Sequence, residues 1–128
     1  MNRQKTILIA EVDQVIGSQV KKYFESHGYQ VYPILSTGEE LLEEAKDLKP
    51  SLIITDTKLN GYIDGIEAIY RLGQGFNNIP YIFITSFDDD IRLIKSYYLQ
   101  PVCLIQKPIN LINLDVSFNK INLKMEPS

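Results

Sequence analysis

The chain has 128 residues, of which 45% are hydrophobic and 23% charged, the balance of an ordinary globular domain with apolar side chains enough for one sizeable core. Thirteen Lys and Arg against sixteen Asp and Glu give a net charge of −3 without a basic cluster, which speaks against gripping nucleic acid, and no apolar run reaches the roughly 18 residues that cross a bilayer. The single cysteine, Cys103, excludes an internal disulfide and fits a reducing compartment, so the expectation is a cytoplasmic single domain with neither membrane nor nucleic-acid partners.

Strand and helix patterns alternate along the chain. Thr6 to Ala10 is an apolar, β-branched run without polar alternation, the pattern of a parallel strand buried on both faces. From Gln14 to His27 the apolar residues Val15, Ile16, Val20, Tyr23 and Phe24 recur at three- and four-residue steps, which predicts an amphipathic helix ended at Gly28. Gln30 to Leu35 reads as a strand, Thr37 to Lys46 as a helix and Leu52 to Thr55 as a third strand. After a loop from Asp56 to Ile63, Asp64 is placed to cap a helix that ends at Gly73-Gln74-Gly75. Tyr81 to Ile84 is a fourth strand, Asp88 to Leu99 a helix, Val102 to Ile105 a fifth strand and Asn110 to Leu123 a last helix. Asp88, Asp89 and Asp90 crowd a helix N-terminus, where the dipole favours anions, and read as a cap rather than a metal site. Cys103 reads as a small core residue in mid-strand. The folded core is placed at about residues 5–122 of a single domain over 1–128, with a tail over 123–128.

Five strands alternating with five helices predict a doubly wound α/β fold: a parallel sheet covered on both faces and joined by right-handed crossovers. Chemistry in such sheets gathers at the carboxyl ends of the strands. Those ends carry Glu11, Val12 and Asp13; Ser36 and Thr37; Asp56; Thr85 and Ser86; and Gln106, Lys107 and Pro108. A carboxylate leaving a buried apolar strand, as Asp56 does, is costly to keep charged without a partner. Glu11 and Asp56 together suit a hard cation such as Mg²⁺, Lys107 adds a positive charge and Thr85 a hydroxyl. That set is equipped to receive a phosphoryl group on Asp56.

At these positions the sequence resembles the receiver domains of two-component response regulators. The matching stretches are Ile7 to Glu11, Leu52 to Ala68 (LIITDTKLNGYIDGIEA), Ile79 to Ser86 and Lys107-Pro108, in the same order over nearly the whole chain. The resemblance implies a flavodoxin-like fold with strand order 2-1-3-4-5. It also implies Asp56 as phosphoacceptor, Glu11 and the Lys58 carbonyl as further metal ligands, and Thr85 as the switch hydroxyl. Ser86 matches the small residue beside the phosphate, Lys107 the lysine that pairs with it, and Pro108 the proline after a cis peptide bond. It implies a sensor histidine kinase or phosphotransfer protein as donor and a downstream effector as reader, in a domain that signals rather than acting as an enzyme on its own account. With no output domain following, that effector is expected to be a separate protein, unless the chain is excised from a longer regulator.

Two positions depart from the family. Val12 stands where a second acidic residue usually contacts the metal, which predicts weaker Mg²⁺ binding; Asp13 is a substitute ligand or, more simply, a helix cap. Leu104 stands where an aromatic ring commonly couples the phosphate to the last strand. Both leave open an alternative, a receiver-like interaction module that does not use phosphate. Tyr97, Tyr98, Leu99 and Pro101 cluster near the face formed by the fourth helix, fifth strand and fifth helix, through which receivers dimerise or bind partners. A flavin-binding carrier of similar topology is disfavoured because Glu11-Val12-Asp13-Gln14 would repel phosphate. An aspartate-based phosphatase is disfavoured because Lys58 stands where a second aspartate is needed.

Overall fold

The computed structural model describes residues 5–75, 77–86 and 89–125. Strands and helices alternate as β1 (Thr6–Ala10), α1 (Gln14–Ser26), β2 (Gln30–Val31), α2 (Gly38–Leu48), β3 (Leu52–Asp56), α3 (Gly65–Gln74), β4 (Tyr81–Thr85), α4 (Asp89–Ser96), β5 (Leu104–Gln106) and α5 (Leu111–Met125). All strand pairs are parallel, in the order β2-β1-β3-β4-β5.

Alternation along each strand divides the core into two layers. Ile7 and Ile9 of β1, with Ile54, Ile82, Ile84 and Ile105, face Val20 and Phe24 of α1 and Leu114 and Ile121 of α5. Leu8 and Ala10, with Ile53 and Phe83, face Leu41 of α2, Ile66 and Leu72 of α3, and Ile94 of α4. These strands are apolar on both sides because both faces are covered, which is why no polar alternation marks them in the sequence.

Four elements depart from the sequence reading. β2 spans only two residues: Gln30 and Tyr32 donate in register to the Lys5 and Ile7 carbonyls, and the chain then slips by one residue around Pro33, so that Leu35 rather than residue 34 donates to the Ile9 carbonyl, at 2.9 Å. α4 ends at Ser96 rather than Leu99, and Tyr98 beyond it has a φ of 58°, outside helical geometry. β5 starts at Leu104, so Cys103 is buried just ahead of the strand and not within it. The last helix runs on to Met125, into what reads as tail, and residues 126–128 lie outside the described residues.

The register sets up the site. Ala10 pairs with Thr55, Asp56 with Ile84, and Thr85 with Gln106. Glu11, one residue past Ala10, therefore stands across from Asp56, and Lys107, one past Gln106, closes the row beyond Thr85. The reversal of strand order between β1 and β3 opens a crevice at this point.

Candidate functional site

Asp56 ends β3 with its side chain turned into that crevice and is 4% exposed. Its Oδ1 accepts the Lys58 main-chain N–H at 2.9 Å, with the Thr57 hydroxyl oxygen 3.4 Å away, while its Oδ2 accepts the Lys107 ammonium at 2.5 Å. Lys107 is placed by its own N–H, which donates to the Thr85 carbonyl at 2.9 Å, and the peptide bond that follows, to Pro108, is cis as the resemblance implies. Burial alone would push the Lys107 ammonium down, but its bonds to Asp56 and the nearby Glu11 outweigh this and hold it above the usual lysine range.

Glu11 is buried as well, not solvated on the surface. Its Oε2 accepts the Asp13 N–H at 3.0 Å; its Oε1 lies 3.3 Å from the Lys107 ammonium but accepts no hydrogen bond from the described residues. Burial pushes the Glu11 carboxyl up to about 6, against the Asp13 amide, which lowers it, and the Asp56 carboxylate adds to the rise. Two carboxylates and one ammonium thus share a buried corner, with one carboxylate oxygen unsatisfied. Such a corner suits a hard cation, and Glu11, Asp56 and the Lys58 carbonyl are the oxygens that could hold one. Among the described residues no group of three or more His, Cys, Asp or Glu side chains is arranged to hold a metal ion. Val12 stands 43% exposed at the mouth of the cleft, beside Asp13. The Asp13 Oδ1 is engaged as the N-cap of α1, accepting from Val15 at 2.9 Å and Ile16 at 3.2 Å.

The structure brings Thr85 to the same row, buried, with its hydroxyl donating at 2.5 Å to Asp90 Oδ2. Asp90 lies in the first turn of α4, where the run of aspartates places it, but it is 3% exposed, and its Oδ2 also accepts the Thr57 hydroxyl at 2.8 Å, with Lys58 Nζ 3.7 Å from Oδ1. Asp88, the first of the three aspartates, lies outside the described residues. Thr57 is not among the strand-end residues read from the sequence, and Asp90 is named there only within the run of aspartates; the available signal is a hydroxyl residue directly after Asp56. Ser86 follows Thr85 at an exposed position. Ser36 and Thr37 stay outside the site: the Ser36 carbonyl accepts the Asn60 N–H at 3.0 Å and Thr37 caps α2. The Gln106 carbonyl accepts from the Asn113 side-chain amide at 3.3 Å.

Comparison with known proteins decides the family: the response regulator receiver domain matches residues 7–119. The chain belongs to the response regulator receiver family. A sensory transduction protein, BceR, from Halalkalibacterium halodurans is 32% identical over 104 residues, covering 81% of this chain and 44% of BceR. The transcriptional regulatory protein CrdR of Helicobacter pylori is 26% identical over 118 residues, covering 91% of this chain and 54% of CrdR. The chain therefore spans about half the length of the curated relatives it matches. Among solved structures, the receiver domain of a modulated diguanylate cyclase from Desulfovibrio desulfuricans superposes with a TM-score of 0.80 at 31% identity, covering 95% of this chain and 96% of that one. The receiver domain of AraT from Geobacillus stearothermophilus gives 0.84 at 21% identity over 97% of each chain, a likeness of fold. The parallel order 2-1-3-4-5 is thus the receiver fold, as expected from the strand pattern and the resemblance.

Proposed function

We propose that this receiver takes a phosphoryl group onto Asp56 from a histidine kinase or phosphotransfer protein and passes the change to an effector. The observation that carries the reading is the Asp56 carboxylate, buried at the end of β3, bonded to Lys107 and facing a Glu11 oxygen without a hydrogen bond. In the transfer, an Asp56 oxygen forms the new bond to phosphorus as the bond to the donor's histidine nitrogen breaks, its electron pair staying on the imidazole. The Lys58 N–H and Lys107 hold the nucleophile in one orientation beforehand, and Lys107 is close enough to follow the negative charge onto the phosphoryl oxygens. Glu11 and Asp56 with a single ammonium leave a net negative corner, so a further anion needs a further cation. Glu11, Asp56 and the Lys58 carbonyl would hold Mg²⁺, which supplies that neutralisation when bound. Asp13 would join them only by turning from its cap.

Acceptance of its own phosphoryl group is then the extent of its chemistry; the reader is another domain or protein, met at the face of α4, β5 and α5, where a second copy would also dock. Leu104 stands 37% exposed on that face, while Tyr97 turns to α3, with its ring 4.8 Å from that of Tyr70, and leaves Tyr98 as the exposed aromatic. Such a kinase-fed domain works in the cytoplasm, and no helix among the described residues is long and apolar enough to cross a membrane. Incubation with acetyl phosphate and Mg²⁺, followed by intact-mass measurement, is expected to add one phosphoryl group to the wild type and none to Asp56→Asn. A wild type that stays unmodified would overturn the reading in favour of a phosphate-independent module.

A further inference from the structure

Among the described residues three acidic side chains are buried: Glu11, Asp56 and Asp90. The first two make the phosphoacceptor corner. Asp90 does not touch it, yet among the described residues each side chain bonded or paired to the Asp90 carboxylate comes from its edge. Thr57 and Lys58 directly follow Asp56, and Thr85 ends the neighbouring strand. The Thr57 oxygen lies 3.4 Å from Asp56 Oδ1 and 2.8 Å from Asp90 Oδ2, so one hydroxyl separates the two carboxylates.

A threonine hydroxyl has a single hydrogen to donate. In this state Thr85 directs it to Asp90, and while it does so it has none for an oxygen on Asp56. We propose that Asp90 is a latch for the switch: it holds the Thr85 hydroxyl in the resting state and sets the threshold that an acyl phosphate on Asp56 has to overcome. This rests on the phosphoacceptor reading and names how that site is regulated. When Thr85 turns to the phosphoryl group, Asp90 keeps the Thr57 hydroxyl and the Lys58 ammonium, so the buried carboxylate is weakened rather than stripped. It lies in the first turn of α4, next to Ile91 at the helix surface, so the lost bond is felt at the start of that helix. Asp90 is in this sense a positioning residue for Thr85, and Thr57 shares its load.

The latch makes opposite predictions for its two partners. Asp90→Asn replaces a charged acceptor by a neutral one of the same shape and should release Thr85 more readily. Beryllofluoride, a mimic of the acyl phosphate, should then bind with Mg²⁺ about tenfold more tightly than to the wild type. Thr57→Val removes the hydroxyl that remains when Thr85 leaves, so Asp90 should hold Thr85 harder and beryllofluoride should bind severalfold more weakly. Removing a negative charge could also tighten anion binding through space, so the Asp90→Asn change is repeated in a Thr85→Ala background. A latch loses most of its gain there, whereas a through-space effect keeps it. The Thr85 methyl resonance of free Asp90→Asn should also move toward its position in beryllofluoride-bound wild type, a shift that a role confined to folding would not produce. If the wild type binds no beryllofluoride, the phosphoacceptor reading fails and the latch with it. If it binds, but Asp90→Asn leaves affinity unchanged or keeps its full gain without the Thr85 hydroxyl, the latch alone is overturned.

Discussion

At the scale of single residues, the most consequential departure is Val12. A cation in this corner finds two carboxylates, from Glu11 and Asp56, and main-chain oxygen, while Val12 presents an apolar surface at the mouth where a third carboxylate would fit. Asp13 is next in sequence but its Oδ1 satisfies two of the amides that start α1, and losing such a cap costs about 1 kcal/mol. Val12→Asp should therefore tighten Mg²⁺ by about tenfold or more, worth ~1.4 kcal/mol, and should destabilise the metal-free protein by crowding a third carboxylate against the other two. Calorimetric titration of both proteins with Mg²⁺ checks it. Equal affinities would mean that Asp13 already ligates in solution, at the expense of its cap.

Among the elements, the join between β3 and α3 holds Asp56 in place, and Gly65 is its tightest point. A Cβ built there would lie 2.0 Å from the Asp56 carbonyl oxygen and 2.8 Å from Thr55 Oγ1, the first of these being backbone that cannot swing aside. The Gly65 N–H also donates to the Thr57 carbonyl at 3.1 Å, and Asp64 caps the helix through the Glu67 N–H at 2.9 Å. Gly65→Ala should push α3 off the strand end, cost roughly 2–4 kcal/mol in urea unfolding and slow phosphorylation of Asp56 together with it. A variant as stable as the wild type would show that the helix start shifts freely. The Asp64 cap and the helix after it were legible in the sequence because capping chemistry is local. The bounds of β2, α4 and β5 were not. β-branched and apolar runs at Gln30–Leu35 and Val102–Ile105 mark strand-forming stretches, but which residues enter the ladder depends on the neighbouring strand and, for β2, on the one-residue slip before Leu35 bonds Ile9.

For the molecule as a whole, a row of polar groups at one edge of an apolar sheet was readable because Glu11, Asp56, Thr85 and Lys107 each interrupt or follow a buried strand, where their cost demands a purpose. The Thr57–Asp90 bond was not, since it joins residues 33 apart and exists only once α4 has docked on the sheet. The cost of the readable row is a property of the entire fold and shows in its pH dependence. Glu11 has its carboxyl at about 6 in the folded protein against 4.5 in an open chain, by burial first and then by Asp56. The folded state therefore holds this proton more tightly than the unfolded one, and ionising Glu11 opposes folding. That penalty is absent below about pH 4.5, grows between 4.5 and 6, and is complete above, where it amounts to at most about 2 kcal/mol for a shift of this size. In metal-free protein at pH 8, Glu11→Gln should accordingly be more stable to urea than the wild type by up to that amount, and the advantage should fade as the pH drops through 6 toward 4.5. Saturating Mg²⁺ should reverse the order at pH 8, because a cation that binds the ionised wild type stabilises it by mass action and finds a poorer ligand in the amide. Should Glu11→Gln be the less stable protein at every pH without metal, the ion pair with Lys107, 3.3 Å away, would outweigh the burial of the charge, and the corner would be built for stability in its own right.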